Sequence, residues 1–262
     1  MRRLFAIVGS LLGACLLALA LAPAAGAATV NYVALGDSYS AGVGAGGTTS
    51  GGDCDRSTNA YPALWAAAHS PASFTFAACS GAKTSDVLSS QVSSLSSSTT
   101  LVSLTIGGND AGFSSVMQSC VLGSTDSCVS AVNTAKTFVE TQLPAKLDTT
   151  LQTIHSDAPN ATIDFVGYPD FYDLAVTDCI GLSQEDHVAL NGAADDLDSV
   201  VSAAAGRNNA TFVDVRSAFN GHELCDDTEW LHSITWPIGD SYHPTAAGQQ
   251  SGYLPPFTGA AG

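Results

Sequence analysis

Val30-Asn31-Tyr32-Val33-Ala34-Leu35-Gly36-Asp37-Ser38-Tyr39-Ser40 is the stretch on which the fold turns. Residues 30–35 form a nearly unbroken apolar run, as expected of a strand covered on both faces of a sheet. Four more such runs follow, at 74–78, 101–106, 162–166 and 211–215. Helical patterns separate them. Val132, Ala135, Val139, Leu143, Leu147, Leu151 and Ile154 recur at three- or four-residue steps, with Pro144 expected to kink or divide that helix. A second stripe runs through Val188, Ala193, Leu197, Val200, Val201 and Ala204, and 245–253 reads as a final short helix. Strands alternating with helices predict an α/β protein, a five-stranded parallel sheet between two helical layers.

Working outward, the N-terminus has the form of an export signal. Arg2 and Arg3 precede the apolar run 4–21, and Ala25-Gly26-Ala27 supplies small residues for cleavage. Pro23 and Gly26 follow the run and no charged stop-transfer flank does, which disfavours a retained membrane helix. Leu12-Gly13-Ala14-Cys15 also resembles a lipoprotein box, but the apolar run continues past Cys15. The expected division is a cleaved signal at 1–27 and one domain at 28–262. Extracellular localisation follows from that division.

The chain carries 24 acidic and 8 basic side chains for a net charge of −16. Losing Arg2 and Arg3 makes the mature chain two units more negative. Such a surface repels nucleic-acid phosphates and holds no polybasic membrane anchor. Cleavage also removes Cys15, one of seven cysteines, and leaves an even set: Cys54, Cys79, Cys120, Cys128, Cys179 and Cys225. In an exported chain this reads as a disulfide framework. The connectivity stays open, with nearest-neighbour pairing favoured: Cys54–Cys79, Cys120–Cys128 and Cys179–Cys225. No cysteine pair has close zinc-ligand spacing, so no metal is expected.

Ligands in open α/β sheets gather at the carboxyl ends of the strands. After the first run stands Gly36-Asp37-Ser38-Tyr39-Ser40, after the second Cys79-Ser80-Gly81, and after the third Gly107-Gly108-Asn109-Asp110. Near the C-terminus stands Asp240-Ser241-Tyr242-His243-Pro244. Each has an ordinary alternative: a helix cap, a turn glycine, an Asx cap, a surface histidine. The first is not a G-x-S-x-G elbow, because Ser40 occupies the second glycine position. Together they supply a nucleophile, neutral hydrogen-bond donors, and a histidine with an acid three residues before it.

In these four segments the chain resembles the SGNH hydrolase superfamily, the GDSL lipases and esterases. Gly36-Asp37-Ser38 matches the first block, Gly81 the centre of the second, Gly107-Gly108-Asn109-Asp110 the third, and Asp240-Ser241-Tyr242-His243 the last. Tyr39 replaces the eponymous leucine, a departure expected to touch no catalytic role. The resemblance implies a flavodoxin-like α/β/α fold and a Ser38–His243–Asp240 triad acting through an acyl-enzyme. The oxyanion hole would be the Ser38 and Gly81 N–H groups with the Asn109 amide. Some members replace the acid by a backbone carbonyl; Asp240 at the acid position favours a full triad here. The resemblance extends to the secreted actinobacterial lipases and esterases, whose three sequential disulfides agree with the favoured pairing.

The expected activity is ester hydrolysis without a cofactor, on a lipid or other ester substrate, by a monomer. Lipase, esterase and phospholipase activities all fall within it. A carbohydrate esterase with the same chemistry, and a non-catalytic secreted binding protein on the same scaffold, are the alternatives. Two polar groups remain. Glu185, Asp186 and His187 read as a solvated helix face. His222, Asp226, Asp227, Glu229 and His232 lack metal-like spacing, although either histidine could rival His243 as base.

Overall fold

The computed structural model describes residues 29–262; the expected signal and Cys15 lie outside them. Five parallel strands form the sheet: β1 (Asn31–Gly36), β2 (Ser73–Phe76), β3 (Leu101–Thr105), β4 (Thr162–Val166) and β5 (Thr211–Val213), in the order β2-β1-β3-β4-β5. The expected strands are all present, with ends shifted by one or two residues. β1 and β3 are central, pairing Val33 with Val102 and Leu35 with Leu104. Their burial on both faces accounts for their unbroken apolar runs. Edge strand β2 departs from the expectation: Ser73 and Thr75 are exposed while Phe74 and Phe76 are half-buried. An edge strand under one helical layer needs only one apolar face.

The helices that frame the site are α1 (Ser38–Ala41), α2 (Tyr61–His69), α3 (Phe113–Leu122), α4 (Thr125–Thr141), α5 (Leu143–Asp157), α6 (Gln184–Arg207) and α7 (Leu254–Ala261). On one sheet face, Tyr32 packs against Trp65 of α2 and Phe257 of α7, ring centroids 5.3 and 5.8 Å away. α5 and α6 form the other helical layer, with α4 packed on α6 and α3 on α4. Pro144 divides the long stripe as expected. It sits in the first turn of α5, where a missing N–H costs nothing.

Along α6 the buried line is Leu190, Ala194, Leu197, Val201 and Ala204; Val188 points half into solvent. At the start of α6 Glu185 is exposed as expected, but the two residues after it are not. Asp186 is buried and closes a capping box with Ser183, and His187 is buried with its ring stacked 3.8 Å from that of Tyr172. A capping carboxylate faces back along its own helix, which a reading of local polarity misses. The final helix continues beyond Tyr253 to Ala261.

The three disulfides are Cys54–Cys79, Cys120–Cys128 and Cys179–Cys225. The first ties the loop after α1 to the segment leading into Gly81. The second joins α3 to α4.

Candidate active site

Ser38 opens α1 directly after β1. Gly36 makes the turn with φ at +128°, and an added Cβ would run into the Thr105 carbonyl, so no larger residue fits. Asp37 caps the helix, accepting the Tyr39 N–H at 3.0 Å. Ser38 is thereby held at a helix N-terminus, where its own N–H has no protein acceptor among the described residues.

The C-terminal loop brings His243 to this serine, with Nε2 lying 2.8 Å from Ser38 Oγ. Nδ1 lies 3.1 Å from the Ser241 carbonyl. A carbonyl can only accept, so Nδ1 carries the proton and Nε2 is left to accept from Ser38. Burial lowers the His243 pKa to about 4; the Ser241 carbonyl works against that shift, His232 adds to it, and the Gly239 carbonyl opposes it. At neutral pH the ring is an uncharged base.

Asp240, expected as the orienting acid, does not bond the imidazole. It ends a tight turn, Ile238–Asp240, and its backbone carbonyl accepts the His243 N–H at 3.1 Å. Tyr242 adopts φ +62°, and the chain then presents the Ser241 carbonyl to the ring. The backbone path thus gives the orienting position to a main-chain oxygen. Spacing alone does not reveal such a path.

The neutral donors stand close to one another. Asn109 donates from Nδ2 to the Ala82 carbonyl at 3.1 Å, linking the third segment to the residue after Gly81. Gly81 has φ +75° and open space where a Cβ would lie. Its N–H has no protein acceptor among the described residues. Asp110 is occupied by Thr84, whose N–H and hydroxyl donate to it at 2.8 and 2.6 Å.

A cleft of about 690 Å³, its open mouth included, runs from Ser38 and Asn109 between α3, α4 and α6. Phe113, Val116, Met117, Val139, Phe171 and Leu197 give it an almost wholly apolar wall. The arrangement can activate a hydroxyl, hold a developing oxyanion with uncharged donors, and accept an aliphatic chain.

Comparison with known proteins agrees with this geometry. The GDSL-like Lipase/Acylhydrolase family matches residues 34–251. The chain belongs to this family. It is a carboxylic ester hydrolase. Lipase 1 of Streptomyces coelicolor is 57% identical over 237 residues, covering 90% of this chain and 88% of that protein. The crystal structure of phospholipase A1 from Streptomyces albidoflavus NA297 superposes with a TM-score of 0.87 at 57% identity, over 89% of this chain and 100% of that one. The extracellular lipase of Streptomyces rimosus gives 0.86 at 49% identity, over 88% and 99%.

Within the family framework, several residues make contacts that motif reading did not show. Tyr39, the replaced leucine, donates its hydroxyl to the Tyr242 carbonyl at 2.6 Å and so braces the histidine loop. Tyr168 donates to Asp37 and accepts the Gly108 N–H at 3.2 Å, joining the first and third segments. Buried Asp37 is pushed up to about 7 by desolvation, with the Tyr168 hydroxyl and Tyr39 N–H pulling the other way. Gln91 bonds both backbone groups of Gly36, at 2.7 and 2.8 Å. The Tyr39–Tyr242, Tyr168–Asp37 and Gln91–Gly36 contacts have no local sequence signal, since their partners lie 203, 131 and 55 residues apart.

The rival histidines are engaged elsewhere. His232 bonds the Gly44 carbonyl at 2.8 Å through Nε2, and His222 bonds Thr228 and stacks on Trp230. The nearby acids form no metal-binding group among the described residues. Glu229 accepts the Cys225 N–H and Glu223 the Gly221 N–H.

Proposed function

We propose that the protein is a secreted hydrolase of lipid acyl esters. Ser38 is its nucleophile and His243 its general base, with the Ser241 carbonyl orienting the ring. Ser38 Oγ attacks the ester carbonyl while His243 Nε2 takes its proton. The oxyanion is held by the Ser38 and Gly81 N–H groups and the Asn109 amide. His243 then protonates the departing alcohol, leaving an acyl-serine. Water, activated by the same ring, releases the carboxylic acid.

The observation that carries this reading is the 2.8 Å Ser38–His243 pair at the mouth of an apolar cleft. The wall suits an acyl chain better than a sugar, which would need polar partners along its length. Three disulfides support an oxidising compartment, as does the likeness to an extracellular lipase.

The test measures p-nitrophenyl esters of increasing chain length, then phosphatidylcholine, triglyceride and acetylated xylan, with wild type and Ser38→Ala. Medium or long acyl chains should be preferred, and Ser38→Ala should lower kcat roughly 10⁶-fold. An organophosphonate should label Ser38. Full activity in Ser38→Ala would overturn the assignment, and a preference for acetylated xylan would overturn the lipid reading.

A further inference from the structure

The loop that delivers His243 carries three apolar side chains into solvent. Trp236 is 87% exposed, Ile238 64% and Ile234 52%. Large apolar groups clustered outside a core mark an interaction site more often than chance exposure does. The loop is built rather than loose. At its base His232 donates its N–H to the His243 carbonyl at 2.9 Å, and the Tyr242 N–H donates to the His232 carbonyl at 2.8 Å. Higher up, the Thr235 N–H donates to Ser241 Oγ at 3.0 Å. The His232 ring holds the base against Gly44, beyond α1. The apolar tip therefore belongs to a loop closed at its base by the Leu231–Pro244 bridge, and His243 ties that base to Ser38 in the cleft wall.

We infer that Ile234, Trp236 and Ile238 form an interfacial anchor that seats the cleft mouth on a zwitterionic or uncharged lipid surface. This rests on the lipid-ester reading above and extends it to how substrate is reached. Three observations favour a lipid occupant. Tryptophan is suited to the boundary between headgroup and acyl regions, with an apolar ring and one N–H for the wet side. Between residues 233 and 241 the one charged side chain is Asp240, with no lysine or arginine to recognise anionic headgroups. A second copy is disfavoured, because the full sequence carries a net charge of −16, the chain without its signal is more negative still, and the copies repel. The position also fits the chemistry. An acyl chain leaving a lipid layer has a short apolar path only if the cleft mouth lies on that layer.

The experiment uses the whole enzyme and Trp236→Ser, a surface substitution not expected to disturb folding. Leu122→Ser serves as control, removing an 81% exposed side chain at the far end of α3. Binding is measured by co-sedimentation with vesicles of diether phosphatidylcholine, which has no ester to hydrolyse. Wild type should bind with a blue shift in tryptophan emission, because Trp65 is buried, Trp230 is half-buried against His222, and Trp236 is 87% exposed. Trp236→Ser should lose the shift and bind about tenfold more weakly, the scale expected for one large apolar side chain.

Hydrolysis of ester phosphatidylcholine vesicles should fall similarly, while monomeric p-nitrophenyl butyrate is turned over as before. Leu122→Ser should match wild type throughout. Absence of wild-type binding would overturn the anchor. So would equal losses on vesicles and on the soluble ester, or a wild-type dimer in sedimentation that Trp236→Ser dissociates. Failure of wild type to cleave the soluble ester would instead count against the hydrolase reading and leave the binding result standing.

Discussion

The imidazole of His243 is oriented by the main-chain carbonyl of Ser241, 3.1 Å from Nδ1. A backbone oxygen cannot be removed by changing a side chain. It adds no full negative charge beside the imidazolium of the proposed mechanism, so the ring's tautomer rather than its charge is what the contact secures. Asp240→Asn is accordingly expected to keep kcat within about tenfold of wild type. An orienting carboxylate that contacted the ring would cost nearer 10⁴-fold. Steady-state kinetics on a soluble ester separate the two outcomes. A collapse of kcat in Asp240→Asn would show that the carboxylate reaches the ring during turnover.

The acid limit of activity follows from the same ring. Burial holds His243 at about 4 rather than near 6.5, and the proposed mechanism uses the neutral form as base. Activity should therefore persist as pH falls through 6 and decline only around pH 4, where Nε2 takes a proton and no longer accepts one from Ser38. The measurement is kcat/KM against pH in the free enzyme, followed by chromatographic detection of the released acid. An acid limb centred at 6.5 or above would contradict the lowered value.

Tyr39 braces the loop without touching the reacting atoms. Its hydroxyl donates to the Tyr242 carbonyl, and its ring lies 5.1 Å from that of His243. Removing the hydroxyl leaves a buried carbonyl unpaired, a loss of about 1–3 kcal/mol in stability. Tyr39→Phe should lower the melting temperature and reduce kcat about tenfold while KM changes little, since misplacing the base affects the transition state more than binding. An unchanged kcat with lowered stability would make Tyr39 purely a packing residue.

Chain-length preference should respond to the cleft wall. Ala194 and Val139 face the same space from α6 and α4. Ala194→Leu adds bulk there and should shift the kcat/KM ratio toward short acyl esters by roughly tenfold, in line with the 1–3 kcal/mol that a methylene is worth in an apolar pocket. Rates on a series of p-nitrophenyl esters check this. An unaltered profile would mean that the acyl chain follows another path.

What was legible from sequence follows the range of the interactions involved. β1 and β3 could be read because strands buried on both faces must be apolar at every position. The division at Pro144 could be read because proline lacks the N–H that a helix interior uses. The motif segments announced themselves through chemistry carried by neighbours in the chain, as Asp37 caps the helix that Ser38 opens. β2 was misjudged because its edge position is a property of the sheet. Asp186 and His187 were misjudged because their burial depends on Tyr172 and the geometry of one cap.

By itself, then, the sequence determined the α/β alternation, the strand-end blocks and the residue types able to open an ester. Each is set by periodicity or by adjacent residues. The fold settled which oxygen bonds the His243 ring, that Tyr39 and Tyr168 lock the site segments together, and that Trp236 stands in solvent on the loop that carries His243. Those outcomes depend on backbone direction and on contacts spanning up to 203 residues of chain. No local pattern encodes them, because the free energy of each contact exists only once the sheet has brought its partners together.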